Sequence, residues 1–279
     1  MDQERLLEAL LEERPEEIPV RQSRDPVLYV KTRTIRSGEL TEVECYPVYM
    51  GSYQRQLRKC RPTAEAMREI NDRNARKKFQ RMAECNFRAG EDYFLTLTYD
   101  GTAPEDKDQC DRDLRNYLSR VNRARKKLGL EKARAMGVIE VGEHGRLHQH
   151  LLIEGGLDRD KMEQLWRHGI ANCSRIQQSK GGLAALKNYF TKCFDTKKAK
   201  RGKGRHRYFY TRNLRKPKVT ESRTRISRRQ AAMIAESADI YGTQIFRKKY
   251  PGQELQELTI RQTEWMPGAY IYAQMRRRP

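Results

Sequence analysis

The stretch Val138-Ile-Glu-Val-Gly-Glu-His-Gly-Arg-Leu-His-Gln-His-Leu-Leu-Ile153 decides how the chain is read. It opens as an apolar strand, breaks at Gly142 and Gly145, and resumes as a second strand. Glycines so placed permit a tight connection between neighbouring strands. His148 and His150 are two apart, so a strand turns both imidazoles to one face. Two histidines on one face, with a carboxylate nearby, suit a divalent metal. The same spacing on a basic protein also describes a plain pair of surface histidines, and residues downstream decide between the two.

The chain has 279 residues, with 58 Lys and Arg against 37 Asp and Glu, a formal net charge of +21. An excess of that size points to a polyanionic partner, most simply nucleic acid; solubility alone is the bland alternative. The length allows one substantial core with appendages, or two small domains. No run approaches the ~18 apolar residues of a membrane span. The opening Met-Asp-Gln-Glu-Arg lacks the basic start and apolar stretch of a signal peptide. Cys45, Cys60, Cys85, Cys110, Cys173 and Cys193 lie far apart without a C-x-x-C, which argues against a zinc ribbon and fits a reducing compartment. No G-x-x-x-x-G-K-[ST] occurs, so no helicase motor is expected.

Along the chain, Leu6, Leu7, Leu10 and Leu11 predict a short amphipathic helix, followed by a linker to about residue 25. Residues 27–53 predict two or three strands around a turn at Ser37-Gly38. Residues 64–88 predict a helix ending near Gly90, and Tyr93–Tyr99 a buried strand. Residues 111–128 place Leu114, Tyr117, Leu118, Val121 and Leu128 on one helical stripe closed by Gly129. Strands follow at 134–141 and 147–153, then a helix capped by Asp158, then a strand at 170–177. The order from 93 to 177 is thus β-α-β-β-α-β, a ferredoxin-like α+β arrangement whose first and third strands are central. Gly181-Gly182 opens a helix to about Phe194; Tyr208-Phe209-Tyr210 returns to the sheet, and Pro217 ends that unit. Ser227 is positioned to cap a helix over 227–237, and the remainder reads as a tail. The expected organisation is an N-terminal extension (1–60), a leading helix (61–90), a core (91–217) and a basic C-terminal extension (218–279).

On the helix opening at Gly182, Leu183, Leu186, Phe190 and Phe194 form the buried stripe, with Tyr189 at its edge and Lys192 outside it. A tyrosine at a core rim is usually packing. Beside a metal site it gains a chemical role. A phenol of pKa ~10 is a poor nucleophile at neutral pH and needs a polarised electrophile. A metal on the histidines draws charge from a phosphate oxygen, and Lys192, one turn from Tyr189, stabilises phenolate or developing charge. The basic segment 197–207, with Lys197, Lys198, Arg201, Lys203, Arg205 and Arg207, reads as a DNA-binding loop. Arg212 and Arg215, in the basic stretch 212–229, and the Arg-rich end extend it.

Glu140, Glu143 and His144 are candidates for a third metal ligand. An odd hairpin loop places Glu140 directly across from His148; an even one brings Glu143 to that face, and His144 lies within the turn. Glu140 is preferred.

Three ordered motifs now stand together: Phe94-Leu-Thr-Leu-Thr98, Gly145-Arg-Leu-His148-Gln-His150 and Tyr189-Phe-Thr-Lys192. They resemble those of the HUH single-strand DNA endonucleases that initiate rolling-circle replication, over about 90–217, and are similar to replication proteins of small single-stranded DNA phages and bacterial plasmids. Arg207-Tyr-Phe-Tyr-Thr-Arg-Asn-Leu-Arg-Lys-Pro217 resembles a segment of the same group. The resemblance implies a single-tyrosine nicking and joining enzyme, a 5′-phosphotyrosyl intermediate and Mg²⁺ or Mn²⁺. It implies a single-stranded or hairpin origin as substrate, host helicase and polymerase as partners, and the cytoplasm of a bacterial host. It also favours a carboxylate eight positions before the first histidine, where Glu140 stands. Gln149 departs from the bulky apolar residue usual there. A single-tyrosine HUH transposase, or a non-catalytic single-strand-binding regulator, are the alternatives.

Overall fold

The computed structural model describes residues 3–12, 25–60, 62–100, 107–141, 147–177, 183 and 208–278. The chain divides into two compact units, a middle unit of residues 75–216 and a terminal unit made of 1–74 with 217–279. Among the described residues the strands are β1 (Val27–Ser37), β2 (Leu40–Tyr49), β3 (Tyr93–Tyr99), β4 (Ala135–Val141), β5 (Leu147–Ile153), β6 (Gly169–Arg175), β7 (Phe209–Tyr210), β8 (Lys218–Ser222), β9 (Gln253–Arg261) and β10 (Tyr270–Arg277). The α-helices are α1 (Gln3–Glu12), α2 (Gly51–Lys59), α3 (Ala64–Asn86), α4 (Lys107–Lys127), α5 (Arg159–Gln164), α6 (Arg228–Glu236) and α7 (Thr243–Lys249). The result is a mixed α/β chain with two five-stranded antiparallel sheets. No helix of the described residues is long and apolar enough to cross a membrane.

In the middle unit the strand order is β6-β3-β5-β4-β7. β3 explains its own position. Tyr93, Leu95, Leu97 and Tyr99 are buried while Phe94, Thr96 and Thr98 are half-buried, the period-two pattern of a strand covered unequally on its faces. The odd-numbered face packs on Leu114, Tyr117 and Val121 of α4 and on Met162 of α5. The even-numbered face meets Phe79, Met82 and Ala83 of α3, with Met136, Val138 and Leu152. Gly129 takes φ +71° after α4, a backbone conformation that stops the helix and strains any other residue. Asp158 caps α5 by accepting from the Asp160 amide.

The terminal unit corrects the reading of two separate extensions and a C-terminal tail. Its sheet runs β8-β1-β2-β10-β9, so residues near both chain ends pair side by side. β2 lies between β1 and β10 and is buried along almost all its length. One face packs on α1 through Leu6, Leu7 and Leu10, with Tyr46, Tyr49 and Tyr272. The other packs on α6 and α7 through Ile234, Phe246 and Tyr250, against Val43, Cys45, Ile271 and Ala273. β9 gives little sequence signal because it is polar on one face and weakly apolar on the other. The turn expected at Ser37-Gly38 joins β1 to β2, and residues 27–49 hold two strands; Tyr53 belongs instead to α2. Ser227 caps α6 in a reciprocal capping box with Gln230.

Candidate functional site

The site is laid out by strand register. Glu140 on β4 is the direct partner of His148 on β5, and His148 is the partner of Thr98 on β3. One step along, Val138, His150 and Thr96 form the next row. All six side chains belong to the even-numbered face. β3 and β5 are interior strands, so their backbones are held on both sides.

The imidazoles are oriented from behind. Thr96 Oγ1 lies 3.1 Å from His150 Nδ1, and Thr98 Oγ1 lies 3.2 Å from His148 Nδ1. His150 Nε2 lies 2.7 Å from Glu140 Oε2. The two rings are 6.4 Å apart between centroids and inclined by 23°, and Phe94 stacks on His150 at 6.1 Å. His150 is buried while Glu140 retains exposure. Burial holds the His150 imidazole below its ordinary value; the Glu140 hydrogen bond and charge pull the other way, and His148 adds to the lowering. The neutral form that this favours is the one that ligates a metal.

A hydroxyl can donate or accept, so Thr96 can serve either tautomer of His150. With a proton on Nε2 shared with Glu140, Thr96 donates to Nδ1. With Nε2 given to a cation, Nδ1–H donates to Thr96. Among the described residues no three His, Cys, Asp or Glu side chains form a ready-made metal cage. The donor set nevertheless fits: two imidazoles held at Nδ1, and a carboxylate already at one Nε2. Such outer partners fix ring orientation at metal sites.

Gln149, between the histidines, points to the opposite face and is fully buried. Its Nε2 donates to Tyr99 Oη at 2.9 Å and to the Cys110 carbonyl at 3.1 Å. Tyr99 donates to Asp113 at 3.1 Å, and Gln109 donates to the same carboxylate at 2.8 Å. His168 Nε2 stands 3.6 Å from it. A polar chain therefore replaces the apolar packing expected there.

Of the residues singled out from sequence, the structure brings together Glu140, His148 and His150. Tyr189, Lys192, Glu143, His144 and the basic residues Lys197, Lys198, Arg201, Lys203, Arg205 and Arg207 lie outside the described residues. Leu183, from the expected stripe of the tyrosine-bearing helix, is buried with Phe79 and Met82. Arg212 and Arg215 are exposed, and Asn86 holds the Arg215 backbone by bonds of 2.7 and 2.9 Å. Sequence reasoning gives Thr96 and Thr98 no role within the first motif. Their even numbering, on a strand beside the histidine strand, is the available signal.

No curated protein matches the chain. One solved structure, that of the hypothetical protein ORF119 from Sulfolobus islandicus rod-shaped virus 1, aligns with 47% of this chain and 98% of its own, at 16% identity and a TM-score of 0.29, a likeness too slight to carry an argument. Residues 92–194 match a family model described as Replication-associated protein ORF2, which supports a replication initiator and covers the strand pair that bears Glu140, His148 and His150.

Proposed function

We propose that the chain is a metal-dependent, site-specific single-strand DNA endonuclease and strand transferase that starts rolling-circle replication. The observation that carries this reading is Glu140 set opposite His148 and bonded to His150, inside the segment matched by a replication-associated family. The strand order β6-β3-β5-β4 supports a ferredoxin-like HUH core. His148, His150 and Glu140 would hold Mg²⁺ or Mn²⁺, of which imidazole suits Mn²⁺ better. Bound there, the ion supplies Lewis-acid polarisation of a phosphate oxygen.

In the reaction, Tyr189 Oη attacks the scissile phosphorus. A Tyr–O–P bond forms and the P–O3′ bond breaks. The phenol proton leaves to solvent or base, and the 3′ oxygen is released as a hydroxyl. Lys192 stabilises negative charge on the phenolate and the phosphoryl oxygens. The 5′-phosphotyrosyl ester retains the bond for later rejoining. The substrate is a single-stranded or hairpin origin, with host helicase and polymerase in the cytoplasm of a bacterial cell.

Tyr189→Phe tests this directly. The variant is expected to bind a single-stranded origin oligonucleotide but form no denaturant-resistant adduct with Mn²⁺. An adduct in the Phe variant moves the nucleophile elsewhere, Tyr208 and Tyr210 being next in line. Binding by the unaltered chain without any adduct makes it a regulator, and cleavage confined to transposon ends makes it a transposase.

A further inference from the structure

The terminal unit separates its charges by sheet face. On the face covered by α1, acids and bases are matched: Lys31 with Glu221 at 2.8 Å, Arg33 with Glu44 at 3.7 Å, and Arg276 with Glu39 at 3.5 Å. The opposite face, covered by α6 and α7, ends differently. Arg36 on β1 and Lys218 on β8 are direct cross-strand partners, and both are exposed. Like charges so placed repel each other unless an anion lies over them.

Further cations join them. Tyr250 Oη is 2.8 Å from Thr34 Oγ1, two residues before Arg36 on the same face. The Arg225 guanidinium lies 5.3 Å from the Tyr250 ring centroid and donates to the Lys249 carbonyl at 3.1 Å. Tyr250 thus links Arg225, which lies over its ring, to the strand β1 that carries Thr34 and Arg36. Arg277 follows the buried Met275 on the same face of β10. Among the described residues Arg36, Lys218, Arg225, Lys249 and Arg277 carry no ion pair to a carboxylate.

We propose that Arg36, Lys218, Arg225 and Lys249 form a cradle on the terminal unit for the phosphate backbone of duplex DNA. The partner is a duplex because the patch offers cations without a stacking platform. Tyr250 is buried, and no exposed aromatic side chain of the described residues belongs to this unit. Single-strand binders need aromatic rings for unstacked bases; duplex backbones need charge and hydrogen-bond donors alone. The cradle is independent of the nicking chemistry proposed for the middle unit.

The test is binding of a fluorescein-labelled random-sequence duplex to the full chain without divalent metal, read by anisotropy across a salt series. The triple variant Arg36→Ser, Lys218→Ser, Lys249→Ser is expected to flatten the log–log salt slope by about 0.9 for each cation in contact with a phosphate. The charge-preserving Arg36→Lys, Lys218→Arg, Lys249→Arg chain should keep the slope. If the triple variant melts early, Lys218→Ser alone, on an exposed edge strand, carries the test. An unchanged slope in a folded variant overturns the proposal. So does an equal loss on a single-stranded oligonucleotide, which assigns the patch to single strands. A chain that binds duplex through this patch but forms no phosphotyrosyl adduct refutes the nicking reading and leaves this one standing.

Discussion

The two sheets share a plan and differ in use. Each has five antiparallel strands packed on both faces. In the terminal sheet the interior row facing α6 and α7 is Val43 and Cys45 beside Ile271 and Ala273, and it meets Ile234 and Phe246. In the middle sheet the corresponding interior rows hold Thr96, Thr98, His148 and His150, and the apolar filling stops at Val138 and Leu152. An interior row is the most rigid part of a sheet, and it can serve packing or chemistry. The polar row persists because its nitrogens and hydroxyls partner one another, which avoids the cost of buried, unbonded polar groups.

The sharpest way to break this contrast is to make the middle row resemble the terminal one. His150→Val is expected to abolish Mn²⁺ binding by calorimetric titration and to stop cleavage while the protein stays folded. Retained Mn²⁺ affinity would remove the site from the metal. Glu140→Ala should weaken Mn²⁺ binding and impair cleavage, whereas Glu143→Ala and His144→Ala should leave both intact.

The reverse test thins the terminal row. Ile271 is fully buried, so Ile271→Ala should cost about 2–5 kcal/mol in denaturant unfolding of the terminal unit. Mn²⁺ affinity at the His pair should not change. A parallel loss of metal binding would mean that the two rows do not act independently.

A smaller effect is expected behind the imidazoles. Thr96→Val preserves shape but removes the hydroxyl at His150 Nδ1, and should weaken Mn²⁺ by about 10–100-fold. Thr96→Ser should restore most of it. Nitrogen chemical shifts of the metal-free imidazole should also move in the Val variant; unaltered shifts would show that Thr96 does not set the ring.

The smallest effect lies where β4 begins and β5 finishes in the middle sheet. Arg134 holds Glu154 through contacts of 2.6 and 3.1 Å. Burial alone would raise the Glu154 carboxyl, but the Arg134 hydrogen bonds and charge outweigh it, and the net shift is downward. A lowered folded value stabilises the protein above the ordinary carboxylate range, and that contribution fades as pH falls through the folded value. Glu154→Gln should therefore cost about 1 kcal/mol at neutral pH, because solvent screens a partly exposed pair, with the gap to the parent closing on acidification. A gap independent of pH would mean that packing, not charge, is lost.

How much of this is legible in the sequence varies by residue. Counting narrows the carboxylate opposite His148 to Glu140 for an odd loop or Glu143 for an even one, and the observed register selects Glu140. Ser227 and Asp158 are legible as caps because a cap bonds amides two or three residues away. The role of Thr96 is half-legible: parity puts it on the histidine face, but its pairing with His150 needs the strand order. Gln149 reads as a packing fault, because its partners Tyr99 and Cys110 are 50 and 39 residues away in sequence.

What the sequence determined by itself is local: the alternation that turns His148 and His150 to one face, and the helical stripes that cover the other. Each depends on residues within a turn or a strand of one another, where backbone geometry leaves few options. The tertiary structure alone decided that residues 27–49 pair with residues 218–222 and 270–277, that Tyr250 meets Thr34 across 216 positions, and that Arg36 and Lys218 become neighbours. Those pairings arise from the shared burial of apolar faces, which carries no periodic mark linking the distant segments that meet.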